Sequence, residues 1–170
     1  DLLFRGARSH NGWRDQPVSD DQLRELYDIV QFAPTANNGQ PGRIVFVRSP
    51  EAKARLTPCV GPGNVAKVEV APVTAIIAFD LHYFEKMDIT FPHKPENKAK
   101  FAADPEAAAQ AAFRNSAIQG GFFIMAARAL GLDTGPMSGF NNAKVDTEFF
   151  DGTNLRSNFL CNIGYGDEST

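Results

Sequence analysis

The sequence lacks most features that mark membrane, metal-binding or nucleic-acid-binding proteins. Its two cysteines, Cys59 and Cys161, lie far apart and match no metal or redox spacing. A disulfide would need them adjacent in space, so a reduced cytoplasmic protein is the favoured interpretation. No apolar run reaches membrane length and no signal peptide is visible. The net charge is −3 without a basic run, which disfavours binding to nucleic acid or to a membrane surface.

Several catalytic and nucleotide-binding motifs are also missing. Nothing fits G-x-G-x-x-G after a strand, and there is no phosphate-binding P-loop. The segment PMSGF does not match the nucleophile elbow of serine hydrolases. The three histidines have no carboxylate or cysteine at metal-ligand spacing, so we expect no metal site. Dispersed side chains would therefore have to hold any nucleotide-like cofactor.

The composition is that of one globular domain, which we place over residues 1–170. Apolar residues make up 43 % of the chain and charged residues 22 %, which is typical of a folded protein. A chain of this length buries roughly two-thirds of its unfolded surface. The sequence begins at Asp1 without an initiator methionine, so we expect it to be trimmed at its termini.

Hydrophobic periodicity predicts helices and strands that alternate around one sheet, in an α/β or α+β class. We expect helices over 20–33, from 50 onward, over 105–130 and over 143–150, and strands over 43–48, 71–80 and 155–166. Residues 131–140 are predicted to form a loop, and residues 93–100 a mobile, charged surface segment. The strand over 71–80 is an apolar run bounded by Pro72 and Asp80, as in a central strand covered on both faces.

The predicted long helix is apolar nearly all round from Ala117 to Leu130, apart from Gln119 and Arg128. Such a helix is buried on most sides, by its own fold or by a partner subunit. It also contains the pair Gly120 and Gly121, which lowers helix propensity. Either another backbone or a flat ligand approaches closely there, or a long helix simply tolerates the pair.

Four polar segments stand out between these elements: ARSHNGWR (7–14), APTANNGQP (33–41), GNVAKVEVAP (63–72) and GPMSGF (135–140). Together they offer the guanidinium of Arg8, the ammonium of Lys67, hydroxyls and several amides. That set suits a ligand with a phosphate at one end and a carbonyl-rich ring at the other. The alternative is structural, since asparagine and glycine also favour turns for backbone reasons alone.

The same four segments resemble motifs of the nitroreductase family, whose members bind FMN. RSHNGW resembles the arginine–serine–x–arginine–x–aromatic opening of that family, and APTANNGQP its loop after the first long helix. NVAK is similar to its asparagine–x–x–lysine, and GPMSGF to its proline–x–x–glycine–phenylalanine turn. The four follow the family's order over nearly the whole chain. HNGWR, GLDTGPMSGF and NIGYGD further resemble the malonic semialdehyde reductase branch of pyrimidine degradation.

This resemblance implies an α+β fold of the nitroreductase type, in which helices flank a central, mainly antiparallel sheet. It also implies a two-fold homodimer with the long helix at its interface and FMN nearby. Its members need neither a nucleic acid nor a membrane as partner. In relatives, residues equivalent to 93–100 cover the flavin, so substrate contacts there are also considered.

The resemblance assigns cofactor-binding roles residue by residue. These residues are Arg8, Ser9, Asn11, Pro34, Thr35, Ala36, Asn38, Gln40, Asn64, Lys67, Pro136, Met137, Ser138 and Gly139. Arg8 and Ser9 match phosphate binders, whereas Asn11 stands where many members have a second cation. Relatives add further basic residues from a C-terminal tail, which would lie after Thr170. Thr35, Asn38 and Gln40 match a loop that hydrogen-bonds the pyrimidine edge of the ring or the ribityl chain, in relatives often from the partner subunit. Lys67 matches a residue at the N1–C2 edge of the flavin, and the Ser138 N–H matches one that reaches N5.

The implied activity transfers hydride from NADPH or NADH through flavin N5 to a small substrate. The branch resemblance specifies reduction of malonic semialdehyde to 3-hydroxypropionate. No side chain is assigned as catalytic; Arg14 and Arg43 are considered for the substrate carboxylate without being placed in the site. The alternatives are a broad nitro- or quinone reductase, a flavin-binding protein that is not a reductase, and an interaction domain without cofactor.

Overall fold

The computed structural model describes residues 1–169. Its helices are α1 Asp20–Val30, α2 Pro50–Leu56, α3 Pro62–Val70, α4 Met87–Thr90, α5 Glu96–Ala103, α6 Pro105–Ala129 and α7 Asn142–Phe150. Its strands are β1 Gly42–Val47, β2 Val73–Asp80, β3 Asp133–Met137 and β4 Leu155–Gly164. Short 3-10 helices occupy Ala36–Asn38, Thr57–Cys59 and Tyr83–Lys86.

The four strands form one sheet in the order β1-β2-β4-β3, and every neighbouring pair is antiparallel. The expected α+β fold with a central antiparallel sheet is therefore confirmed. Strand β2 is buried from Val73 to Phe79, as predicted for a central strand. Strands β1 and β3 are the two edges of the sheet within residues 1–169.

Helices cover both faces of the sheet because successive strand residues point in opposite directions. Ile77 of β2 packs in one core with Leu26 of α1 and Phe123 of α6. The preceding residue, Ile76, packs in a second core with α2, α3 and α7, through residues such as Leu56. The sheet is thus the middle of three layers.

The predicted helix starts are confirmed by their capping bonds. At α1 the Ser19 side chain accepts from the Gln22 N–H, and the Gln22 side chain accepts from the Ser19 N–H, which completes a capping box. At α6 the Asp104 carboxylate accepts from the Ala107 N–H. Gly131 ends that helix with φ +76°, a left-handed conformation that favours glycine.

The prediction of a loop over 131–140 was wrong, because residues Asp133–Met137 form strand β3. Gly135 and Pro136 hide the strand in the sequence, since both residues are rare in strand interiors. Among the strands of residues 1–169, β3 pairs with β4 alone and lies at the sheet edge, where proline's missing N–H is tolerated.

The charged segment over 93–100 is partly helical. Its second half begins helix α5, which packs against α6 and against the 3-10 helix Tyr83–Lys86. The rings of Tyr83 and Phe101 lie 5.6 Å apart between centroids. Aromatic contacts, which charge-rich sequence does not reveal, hold this segment on the fold.

The two glycines inside α6 have different surroundings. A side chain at Gly120 would overlap the ring of Phe159 on β4, so close packing explains this glycine. Among the described residues, the close neighbour is a side chain and not another backbone. Gly121 faces open space in the single chain.

Both cysteines are free and buried, so the favoured absence of a disulfide is confirmed. Burial raises the pKa of the Cys161 thiol to about 12 and also raises the pKa of the Cys59 thiol. Across residues 1–169, none of the helices combines the length and apolarity needed to span a membrane.

Candidate functional site

The N-terminal polar segment runs along the outer edge of β3. Ser9 forms an isolated parallel bridge with Thr134, and the His10 N–H donates to the Thr134 carbonyl at 3.0 Å. Nη1 of Arg8 donates to the carbonyls of Arg5 and Ala7, each at 2.8 Å. Arg8 and Ser9 are both exposed beside this edge.

The turn after β3 is attached to the start of α3. Nδ2 of Asn64 donates to the Gly139 carbonyl at 3.0 Å, and the Gly61 N–H donates to the same oxygen at 2.8 Å. Two segments that the sequence predicted for one site, 63–72 and 135–140, are thereby brought together. Pro136, Ser138 and Gly139 are exposed, whereas Met137 is buried.

Side chains from elsewhere in the fold hold the other end of α3. The last four carbonyls of a helix have no partner within it. One of these, the Lys67 carbonyl, accepts from Nδ2 of Asn162 at 2.9 Å. The same asparagine accepts from the Thr74 hydroxyl at 2.7 Å, and both side chains are fully buried. Nζ of Lys53 donates to the Glu69 carbonyl at 3.1 Å, and burial lowers the pKa of this amine.

The loop after α1 has an unusual backbone. Asn37, Asn38 and Gln40 have φ values of 54°, 45° and 47°, in the left-handed region that residues other than glycine rarely adopt. The Gln40 N–H donates to the Thr35 hydroxyl at 3.1 Å, and Nε2 of Gln40 donates to the Asn38 side chain at 2.9 Å. Asn38 in turn donates to the Thr90 carbonyl at 2.8 Å. The segment is therefore a defined loop and not a linker.

Two amide side chains on α6 reach this loop, and the sequence did not assign them to the site. Oδ1 of Asn115 accepts from the Ala36 N–H at 2.7 Å. Oε1 of Gln119 accepts from the Gly42 N–H at 2.7 Å, while its Nε2 donates to Oε1 of Gln40 at 2.8 Å. One feature of the sequence could have pointed to this contact, because Gln119 interrupts an otherwise apolar stretch of the helix.

A cavity of about 460 Å³ lies beside this loop, between α1, α6 and the start of β1. Its lining includes Gln40, Arg43, Tyr83 and Gln119. Arg43 donates to the carbonyls of Gln40 and Gly42 and pairs with Asp80 at 2.8 Å. These bonds commit its guanidinium to the protein, which counts against a role with a substrate carboxylate. Burial raises the pKa of Tyr83 to about 12.

The predicted site residues form two groups at opposite corners of the sheet. Ser9 lies against Thr134 on edge strand β3, and Thr134 aligns across β4 with Val73 at the start of β2. Gly42 lies on the other edge strand, β1, and pairs with Phe79 near the end of β2. Three strand spacings separate the edges by roughly 14 Å, and six residues along β2 add roughly 20 Å in the perpendicular direction. One chain therefore does not bring residues 34–40 to the group formed by residues 8–11, 64–67 and 136–139.

Three comparisons with known proteins bear on this arrangement. Residues 4–165 match the model described as the nitroreductase family. A relative from Cupriavidus pinatubonensis (strain JMP 134), provisionally named an NADH dehydrogenase/NAD(P)H nitroreductase, is 53 % identical over 98 % of this chain and 86 % of its own length. A second, from Caulobacter sp. (strain K31) with the same provisional name, is 57 % identical over 98 % of this chain and 85 % of its own length.

Solved structures share the fold at lower identity. A provisionally named nitroreductase of Exiguobacterium sibiricum 255-15, solved in complex with FMN, superposes with a TM-score of 0.84 at 20 % identity, over 97 % of this chain and 87 % of that one. The provisionally named nitroreductase ydfN of Bacillus subtilis also gives a TM-score of 0.84 at 20 % identity, over 98 % of this chain and 88 % of that one. Because the family model matches residues 4–165 and the two relatives are 53 % and 57 % identical to it, this chain belongs to the nitroreductase family of oxidoreductases.

Proposed function

We propose that this protein binds FMN and uses it to transfer hydride from NADPH or NADH to a small substrate. The observation that carries the proposal is the family match over residues 4–165. It is supported by the FMN complex of the Exiguobacterium sibiricum neighbour and by the NAD(P)H in the names of the relatives.

The donors at the β3 edge fit the two ends of FMN. Arg8 and Ser9 are exposed there and offer the guanidinium and hydroxyl donors that a phosphate requires. Asn64 and Lys67 share one side of α3 and offer donors for a carbonyl-rich ring. Asn11 is neutral, so Arg8 and Lys67 are the cations of the proposed set.

Each residue then has a defined task. Arg8 and Ser9 hold the phosphate, and Pro136, Met137, Ser138 and Gly139 form the turn against the ring. Lys67 places a positive charge beside the ring edge where negative charge accumulates on reduction. When bound, FMN supplies the hydride chemistry, accepting hydride from the nicotinamide and passing it to the substrate.

A two-fold homodimer is part of the proposal, because the two groups of site residues lie at opposite corners of one chain. Residues 34–40 would serve the flavin held by the other copy. Helix α6 also exposes Phe113, Ile118 and Phe122, by 52 %, 42 % and 43 % of their surface. A second copy would cover this apolar face. Light scattering should give twice the chain mass, and a monomer that binds FMN tightly would refute this assembly.

The proposed substrate is malonic semialdehyde, on the resemblance of residues 10–14, 131–140 and 162–167 to that branch. The names of the relatives favour a second candidate, a nitroarene. Both are tested by comparing kcat/KM for malonic semialdehyde and for a nitroarene with one reductant. A higher value for the aldehyde acid supports the branch, and a higher value for the nitroarene supports the broader reductase.

The decisive experiment is the visible spectrum of the purified protein after incubation with FMN and removal of free flavin. We expect a flavin spectrum that bleaches on anaerobic addition of NADPH or NADH and returns when substrate is added. Protein that retains FMN but is not bleached by either nucleotide would be a flavin binder and not a reductase. Protein that retains no FMN would favour an interaction domain without cofactor.

The phosphate assignment has its own test. Arg8→Ala should weaken FMN binding by about 10-fold or more, since a charge-assisted hydrogen bond contributes about 1.5–3 kcal/mol. Riboflavin, which lacks the phosphate, should bind the variant and the parent equally. Arg24→Ala is a matched control, because Arg24 is an exposed arginine of α1 that pairs only with Asp21 among the described contacts. Equal losses for FMN and riboflavin would remove Arg8 from the phosphate.

A further inference from the structure

We propose that Asn115 and Gln119 of α6 are positioning residues that hold the loop over residues 34–42 in its flavin-binding conformation. This inference rests on the proposed function for its link to FMN, but not for the tether itself. The two side chains are buried polar groups in a mostly apolar helix, with 7 % and 8 % of their surface exposed. Neither belongs to the cofactor-binding set that the sequence indicated.

The loop needs an external support because its backbone is strained. Asn37, Asn38 and Gln40 all have left-handed φ values, and surrounding structure must fix such conformations for them to persist. The loop's own side-chain bonds join Gln40 to Thr35, Ala33 and Asn38, which closes the loop on itself. Two further bonds join the loop to the rest of the fold, since Nδ2 of Asn38 donates to the Thr90 carbonyl and the Asp80 N–H donates to the Pro41 carbonyl.

The α6 amides connect the loop to the helical layer, at both ends of the strained stretch. Asn115 accepts from the Ala36 N–H before it, and Gln119 accepts from the Gly42 N–H after it. Gln119 also donates to Oε1 of Gln40, so its carbonyl and its NH₂ are used in opposite directions. An amide can do this, whereas a carboxylate can only accept and an ammonium can only donate.

The spacing on the helix explains why these two positions serve. Residues four apart lie on the same face of an α-helix, one above the other. Asn115 and Gln119 therefore present a ladder of amides toward the loop, while Phe113, Ile118 and Phe122 on the same helix remain exposed. In the proposed dimer, one helix would carry the subunit contact and also hold the loop that serves the other copy's flavin.

The tether is tested first without cofactor, by hydrogen–deuterium exchange of the loop. Gln119→Met keeps the side-chain length but removes both hydrogen bonds, so the Gly42 N–H should exchange about 10-fold faster or more. Gln110→Met is the matched control, because Gln110 is an exposed glutamine on the same helix. In Gln110→Met, residues 34–42 should exchange at the same rate as in the parent protein. Unchanged exchange in Gln119→Met would overturn the proposal.

A pair of variants at Asn115 separates positioning from general loss of stability. Asn115→Asp keeps the oxygen that accepts from the Ala36 N–H, whereas Asn115→Leu removes it. Loop protection at Ala36 should persist in Asn115→Asp and fall in Asn115→Leu. If the two variants change the exchange equally, the bond to Ala36 does not position the loop and the proposal fails there.

Flavin binding then tests what the tether is for. Gln119→Met should weaken FMN and riboflavin by the same factor, about 10-fold, because the loop is assigned to the ring and ribityl chain and not to the phosphate. Faster loop exchange with unchanged flavin affinity would refute the link to the cofactor. A parent protein that binds neither flavin would refute the proposed function, while the exchange results would still decide the tether.

Discussion

The buried pair Thr74 and Asn162 allows a quantitative test of how the fold fixes Lys67. Thr74 donates to Oδ1 of Asn162 at 2.7 Å, and Asn162 donates to the Lys67 carbonyl at 2.9 Å. Both side chains have no exposed surface, so no water replaces a lost partner without a rearrangement. The perturbations are Thr74→Val, Asn162→Leu and the double variant, which keep the branching of each side chain and remove its polar atoms.

The expected costs follow from counting the polar groups left without a partner. Thr74→Val leaves one such group, the Asn162 side-chain oxygen. Asn162→Leu leaves two, the Thr74 hydroxyl and the Lys67 carbonyl. The double variant leaves only the Lys67 carbonyl. With about 1–3 kcal/mol for each unsatisfied group, the double variant should be more stable than Asn162→Leu by about 1–3 kcal/mol.

The assay is equilibrium unfolding in urea for all four proteins, analysed as a double-mutant cycle. The larger volume of leucine is common to Asn162→Leu and the double variant, so it cancels in that comparison. A double variant that is equally or less stable than Asn162→Leu would refute the reasoning. It would mean that the pair contributes packing and not a mutually satisfied hydrogen bond.

Two further predictions concern titratable groups in the core. Burial raises the pKa of Tyr83 to about 12, so as pH rises the unfolded chain loses its tyrosine proton before the folded protein does. The free energy of unfolding should therefore fall between about pH 10 and pH 12, by at most about 1.4 kcal/mol per pH unit. In Tyr83→Phe, the urea midpoint should fall less steeply with pH over that range. Part of the fall remains in both proteins because the pKa of Cys161 is also raised. An equally steep fall in the variant would show that Tyr83 does not contribute to it. Since burial also raises the pKa of both thiols, iodoacetamide should label neither cysteine in the native protein at pH 8 and both in urea, as read by mass spectrometry. Rapid labelling of native Cys161 would show that its strand opens readily.

Local signals predicted most of the secondary structure. The helices capped by Ser19, Ser49 and Asp104 begin at the predicted residues, because capping involves residues only three positions apart. Strand β2 was recognisable from its apolar run, since both of its faces are covered. These predictions needed no knowledge of what packs against each element.

The errors occurred where position in the sheet decided the outcome. Strand β3 contains Gly135 and Pro136, whose local preference is for a turn. Pairing with β4 overrides that preference, and the edge position removes the need for an N–H at Pro136. Edge position depends on the whole topology, so no window of neighbouring residues contains it.

The candidate site shows the same division between local and long-range information. Polar loops such as 33–41 were visible as candidates because they are rich in amides and poor in apolar residues. The bonds that hold them were not visible, since Gln119 and Gln40 are 79 positions apart and Asn162 and Lys67 are 95 apart. Each of these supports is a lone amide on a buried face, which resembles an ordinary core residue in sequence.

Buried amides therefore identify the loops whose shape this fold specifies. A buried amide without a hydrogen-bond partner is unfavourable, so each buried amide points to a backbone or side-chain group with which it forms a hydrogen bond. Asn115 and Gln119 indicate the loop on one side of the sheet, and Asn162 indicates the end of α3 on the other. These two places carry the two halves of the proposed flavin site. In the proposed dimer, each of these places would be a half-site, and a second copy of the chain would join the two.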